Sequence, residues 1–202
     1  MRLSDKKYEY IKGEVAHIYK EHDITHPICA EKVAADLGFI IKEYSDLPAK
    51  ALETAKDISS DGFYVSMNGQ DYIFVNDDVD GDRKMMTILH EIGHAVLGHN
   101  NGFSDDETME SEAAFFAKYF AAPPPLVHMK GATNSTMVCM LFGTSFEASN
   151  NAFAYYEKWK TYVSKYGLQD YDIAILERYG VDSFDQLFEF WKSVKQEVKL
   201  HA

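Results

Sequence analysis

The sequence predicts an α+β fold, with helices first, a short run of strands next, and helices to the end. Three observations carry that reading. Apolar residues recur at helical spacing in long segments. Two β-rich runs flank an Asn-Gly pair. Glycines and prolines stand where one pattern gives way to the next.

Tyr10, Ile11, Val15, Ile18 and Tyr19 place a first helix at about residues 6–22, and Pro27 breaks the chain after it. Residues 29–37 read as a short second helix stopped by Gly38, and residues 39–44 as a strand. Residues 45–61 are polar and have no clear period. A hairpin follows, with strands at 62–67 and 72–76 about the Asn68-Gly69 turn, and then an acidic loop at 77–82. The next helix covers 83–97 and ends at Gly98. Another covers about 105–122, with Ser104 and Glu107 as a capping box and Pro123-Pro124-Pro125 as its stop. The remainder reads as helical. Thr144 with Glu147 opens a helix at about 145–165, residues 171–179 form another, and Ser183 with Gln186 opens the last. A working division is a domain over 1–125 and a helical extension over 126–202.

The 202 residues suffice for one core with an appendage. A net charge of −12 without a basic run disfavours direct nucleic-acid binding. Cys29 and Cys139 lie far apart outside any C-x-x-C, which fits a reducing compartment. With no signal-like apolar stretch and no run of membrane-spanning length, the expected location is the cytoplasm, away from membranes.

The chemistry concentrates in His90-Glu91-Ile92-Gly93-His94. Two histidines four apart lie about 40° from one another on a helix, so both imidazoles can reach one zinc ion. The glutamate beside the first can hold a water and accept its proton. Chance supplies such a pattern about once in fifty chains of this composition, so its surroundings decide. Ile88, Ile92 and Val96 fall on the opposite face, which separates a core side from a ligand side. Gly93 costs helix stability, so something is expected to pack closely against it. His99 would point about 140° from His94 on a continuing helix; it reads as a C-terminal histidine favoured by the helix dipole, outside the metal set.

A catalytic zinc needs a third protein ligand and an open position. Glu107, Glu110 and Glu112 are available. Ala113, Ala114, Ala117 and Ala121 lie within about 60° of Glu110, so Glu110 heads a stripe of small residues suited to lie against the metal helix. Glu112 points about 200° away. Glu110 is the expected ligand and Glu112 the alternative. Candidate donors for a developing oxyanion are His128, Tyr155 and Tyr156. Helix packing accounts better for the tyrosines, and a surface position for the histidine. Ser145 reads as a cap.

The run His90–His99, together with Glu110-Ser111-Glu112-Ala113-Ala114-Phe115-Phe116-Ala117 closed by Pro123, resembles the ImmA/IrrE family of metallo-endopeptidases. Asp61-Gly62-Phe63, the hairpin ending in Asn76, and Phe142-Gly143-Thr144-Ser145 are also similar to that family. The resemblance implies a zincin-like domain in which His90, His94 and Glu110 hold zinc and Glu91 is the general base. It further implies a protein substrate, commonly a helix-turn-helix DNA-binding repressor of a mobile element or stress operon. Ala114 departs from the pattern, standing where the family usually has Asn or Asp. That departure motivates an alternative, a non-enzymatic module that sequesters a repressor or other protein partner.

Overall fold

The computed structural model describes residues 3–99 and 107–200. Ten helices and three strands are seen among them. The chain divides into two compact units. The first takes the chain up to Ile11 and Ile28–Ala121, and the second takes Lys12–Pro27 and the chain from Ala122 onward. Helix α1 (Asp5–Glu21) contributes to both.

The first unit is built on a three-stranded sheet. Strands β1 (Ile40–Glu43), β2 (Gly62–Met67) and β3 (Gln70–Val75) lie in the order β1-β3-β2. β2 and β3 form the expected antiparallel hairpin, with Gly62 opposite Val75 and Met67 opposite Gln70. Asn68 and Gly69 both take positive φ, 55° and 77°, as a turn matched to strand twist requires. β1 pairs parallel to β3, Ile40 opposite Tyr72.

Side chains alternate across the sheet. On one face Phe63 packs with Tyr44 and Ala55, joined by Val65, Phe74, Leu47 and Leu52. These neighbours resolve the segment whose period was unclear. It forms a 3₁₀ turn at Tyr44–Asp46 and helix α3 (Ala49–Ile58). The other face carries Ile73 and Val75, both fully buried, and helix α4 (Gly81–Val96) packs on β2 and β3. Helix α2 (Ala30–Asp36) packs on α4 and β1. Lys84 of α4 reaches Glu43 at 2.6 Å and Glu31 at 3.3 Å, linking α4 to β1 and α2. Helix α5 (Glu107–Ala121) lies against α4. The cap expected from Ser104 falls outside the described residues.

The second unit is helical: α6 (Pro124–Met129), α7 (Ser135–Phe142), α8 (Phe146–Tyr166), α9 (Asp170–Arg178) and α10 (Phe184–Leu200). The prolines that end α5 begin α6, since a first-turn proline gives up only an N–H with no intrahelical partner. Helix α8 opens on Ser145, whose Oγ accepts from the Ala148 N–H. This corrects the expectation for Thr144, whose hydroxyl is buried and bonded to Ser149 at 2.8 Å. Ser183 and Gln186 do cap α10 reciprocally. The core gathers Leu126, Val127, Val138, Phe142, Tyr156, Val163, Ile175, Leu176 and Val194. Among the described residues, no helix is long and apolar enough to cross a membrane.

Candidate metal centre

Helix α4 has the two sides its spacing predicts. Ile88, Leu89 and Ile92 are fully buried, while His90 and His94 line a cleft of about 1050 Å³ together with Glu91, Glu110 and Ala114. Helix α5 approaches closely because its facing surface is small: Ala113, Ala117 and Ala121 are all buried. Gly93 completes the fit. A Cβ there would stand 3.0 Å from Cδ1 of Phe116, so the close neighbour expected at this glycine is an aromatic ring of α5.

Three donor groups converge. The Nε2 atoms of His90 and His94 are 3.0 Å apart. The Glu110 carboxylate puts one oxygen 3.2 Å from His90 Nε2 and the other 3.2 Å from His94 Nε2. His90, His94 and Glu110 form a group with potential metal-binding geometry among the described residues. Donors held 2.0–2.1 Å from a tetrahedral zinc lie about 3.3 Å from one another, so the triangle fits such an ion with little adjustment. Two unprotonated nitrogens and a carboxylate aimed at one point repel unless a proton or cation lies between them.

The electrostatics favour the same state. Burial lowers the His90 pKa, against the opposing pull of Glu110. Burial, with His90 and His99 adding to it, brings His94 down to about 3. Both rings are therefore neutral at neutral pH, as metal ligation demands. Glu91 is buried, and its carboxyl is pushed up to about 8, chiefly by desolvation, although the Tyr64 N–H donates to it at 2.9 Å. A dication nearby would draw that value down.

The glutamates separate as helical geometry predicts. Glu112 lies apart from the triangle, with a buried side chain paired to Lys7 Nζ at 3.0 Å. His99 differs from its expected place. Helix α4 does not continue. Gly98 turns left-handed (φ 72°), the His99 N–H bonds to the His94 carbonyl at 2.9 Å, and the Gly98 N–H bonds to that of Ala95 at 3.1 Å. This Schellman reversal folds His99 back against its own helix. His99 is buried, with Nδ1 3.1 Å from Nδ1 of His94 and Nε2 3.2 Å from Oε2 of Glu112. The signal was present in Leu97-Gly98-His99, a glycine just beyond the last helical turn.

The other candidates lie in the second unit. His128 is buried rather than on the surface, bonded to Tyr156 Oη at 2.9 Å and Ser193 Oγ at 2.7 Å. Tyr156 is core, as packing predicts.

A peptidase family model described as the IrrE N-terminal-like domain matches residues 52–155, just over half of the 202-residue chain. The match covers β2, β3, α4 and α5 and so contains every residue of the donor triangle. No curated protein and no solved structure matches the chain.

Proposed function

The chain belongs to the IrrE N-terminal-like peptidase family, and from that premise we propose that it is a zinc-dependent endopeptidase of zincin-like design, acting in the cytoplasm on a protein. The observation that supports this most is the convergence of His90, His94 and Glu110 beside the buried Glu91. Two histidines and a carboxylate leave a position open for water or substrate, the pattern of catalytic zinc.

When bound, zinc supplies Lewis-acid polarisation of the scissile carbonyl and eases deprotonation of the attacking water. Glu91 takes the proton from that water as its oxygen attacks the carbonyl carbon, and returns it to the amide nitrogen as the C–N bond breaks. The Tyr64 N–H engages Oε2 of Glu91 and leaves Oε1 for the water. β2 is an edge strand, and its Gly62 and Phe63 line the cleft, so an extended peptide would find a strand to lie beside. The family resemblance points to a helix-turn-helix repressor as the substrate.

The test measures zinc uptake by the purified protein and cleavage of the repressor encoded beside its gene, wild type against Glu91→Gln. The expected result is zinc in both proteins and cleavage by wild type alone. Equal action of the two on the repressor removes the peptidase and leaves the sequestering module. Absence of zinc binding removes both.

A further inference from the structure

We propose that His99 is a positioning residue for the metal site, locking His94 into the tautomer that presents Nε2 to zinc. The inference rests on the zinc reading of His90, His94 and Glu110, and it assigns a role to a residue outside that set.

The argument follows the protons. Glu112 Oε2 is within 3.2 Å of His99 Nε2, and the Glu112 carboxylate carries its countercharge in Lys7, at 3.0 Å from Oε1. Zinc on Nε2 of His94 would leave that ring's proton on Nδ1, facing His99. His99 then accepts at Nδ1, and its Nε2 carries the proton that the Glu112 carboxylate accepts. His99 Nδ1 therefore accepts across 3.1 Å from Nδ1–H of His94. With its proton on Nδ1, His94 has its free lone pair on Nε2, the atom 3.0 Å from His90 Nε2 and 3.2 Å from Glu110. With zinc held at the triangle, this arrangement gives the His94–His99 and His99–Glu112 contacts one donor and one acceptor each. Ring orientation and ligand basicity are commonly set by such an outer hydrogen bond.

Packing alone accounts poorly for these residues. The C″ position of a Schellman turn usually makes an apolar contact with C3. Here C″ is His99 and C3 is His94. The His99 and Glu112 side chains are 5% and 4% exposed. Burying such groups is costly unless they are paired. The relay also bears on Ala114. That residue lines the cleft with a methyl group and can offer His94 no hydrogen bond, whereas His99 meets its Nδ1 at 3.1 Å.

The experiment titrates the metal-free full-length protein with zinc against a chromophoric chelator, for wild type, His99→Ala and Glu112→Gln. Nitrogen-15 NMR of the imidazoles reads the tautomers. The expected loss of zinc affinity is about 10- to 100-fold for His99→Ala, with a smaller loss for Glu112→Gln. In zinc-loaded wild type, His94 is expected as the Nδ1–H form and His99 as the Nε2–H form. A folded His99→Ala with wild-type zinc affinity overturns the proposal. So does a wild-type His99 protonated on Nδ1 alone, a result that stands even if the variants misfold. Wild type that takes up no zinc removes the underlying metal reading with it, an outcome distinct from the other two.

Discussion

The backbone N–H of Tyr64 donates to the Glu91 side chain across 2.9 Å, so a strand at the edge of the sheet holds the carboxyl of the metal helix. The contact joins the two elements through the proposed general base. It also keeps that group in an interior where its charged form is disfavoured.

In the metal-free protein the Glu91 pKa stands at about 8, against an ordinary 4.5. Between those values the folded protein binds more protons than the unfolded chain, so stability falls as pH rises. His90 and His94 shift the opposite way, downward from 6.5, so their contribution is complete above that pH and is lost on acidification. From pH 6.5 to 8 the Glu91 effect stands alone among these three. Chelated wild type should lose about 1–2 kcal/mol over that interval, and Glu91→Gln should lose less. Urea midpoints at several pH values check this, and parallel profiles would contradict it.

Glu110→Ala should weaken zinc binding by more than the roughly 100-fold that loss of an outer partner can cost. Glu107→Ala, in the same helix and lining the same cleft, should leave zinc affinity near wild type. Competition titration distinguishes them. Similar losses in both would mean that the acidity of the helix start matters more than the Glu110 oxygens.

Gly93→Ala gains up to about 1 kcal/mol of helix propensity. Its methyl group, however, would meet the fully buried Phe116 at 3.0 Å. Overpacking of this kind costs about 1–3 kcal/mol. The net expectation is a loss of about 1 kcal/mol, relieved when Phe116→Leu is added. A thermal double-mutant cycle reads the coupling, and strict additivity would rule out the contact.

Ser145→Ala should cost about 1 kcal/mol, because the hydroxyl satisfies the Ala148 N–H at the start of α8. Denaturant unfolding measures it. An unchanged midpoint would show that the cap adds nothing to stability.

Much of the site was legible because helical angles are predictable. The 40° between His90 and His94, the alanine stripe beside Glu110, and the divergence of Glu112 all follow from 3.6 residues per turn. The hairpin was legible because Asn68-Gly69 accepts positive φ. His99 lies elsewhere than that geometry places it because the helix ends at Val96 and Gly98 reverses the chain before His99 is reached. Helix α3 carries a short apolar stripe at helical spacing, Leu52, Ala55 and Ile58, that the surrounding polar residues obscure in the sequence. His128 looked like a surface residue because its partners, Tyr156 and Ser193, are 28 and 65 residues away in sequence. Long-range pairing of polar groups leaves no local pattern.

The reversal at Gly98 turns the motif into a measured length. His99 meets His94 because the helix runs two residues past His94, Leu97 caps it, and the chain doubles back at Gly98. One residue added or removed in that span would swing the ring by about 100°, with every side chain of the site still present. Apart from Gly98, whose φ of 72° strains any side chain, variation between His94 and His99 should therefore be accepted as exchange of one residue for another and rejected as insertion or deletion.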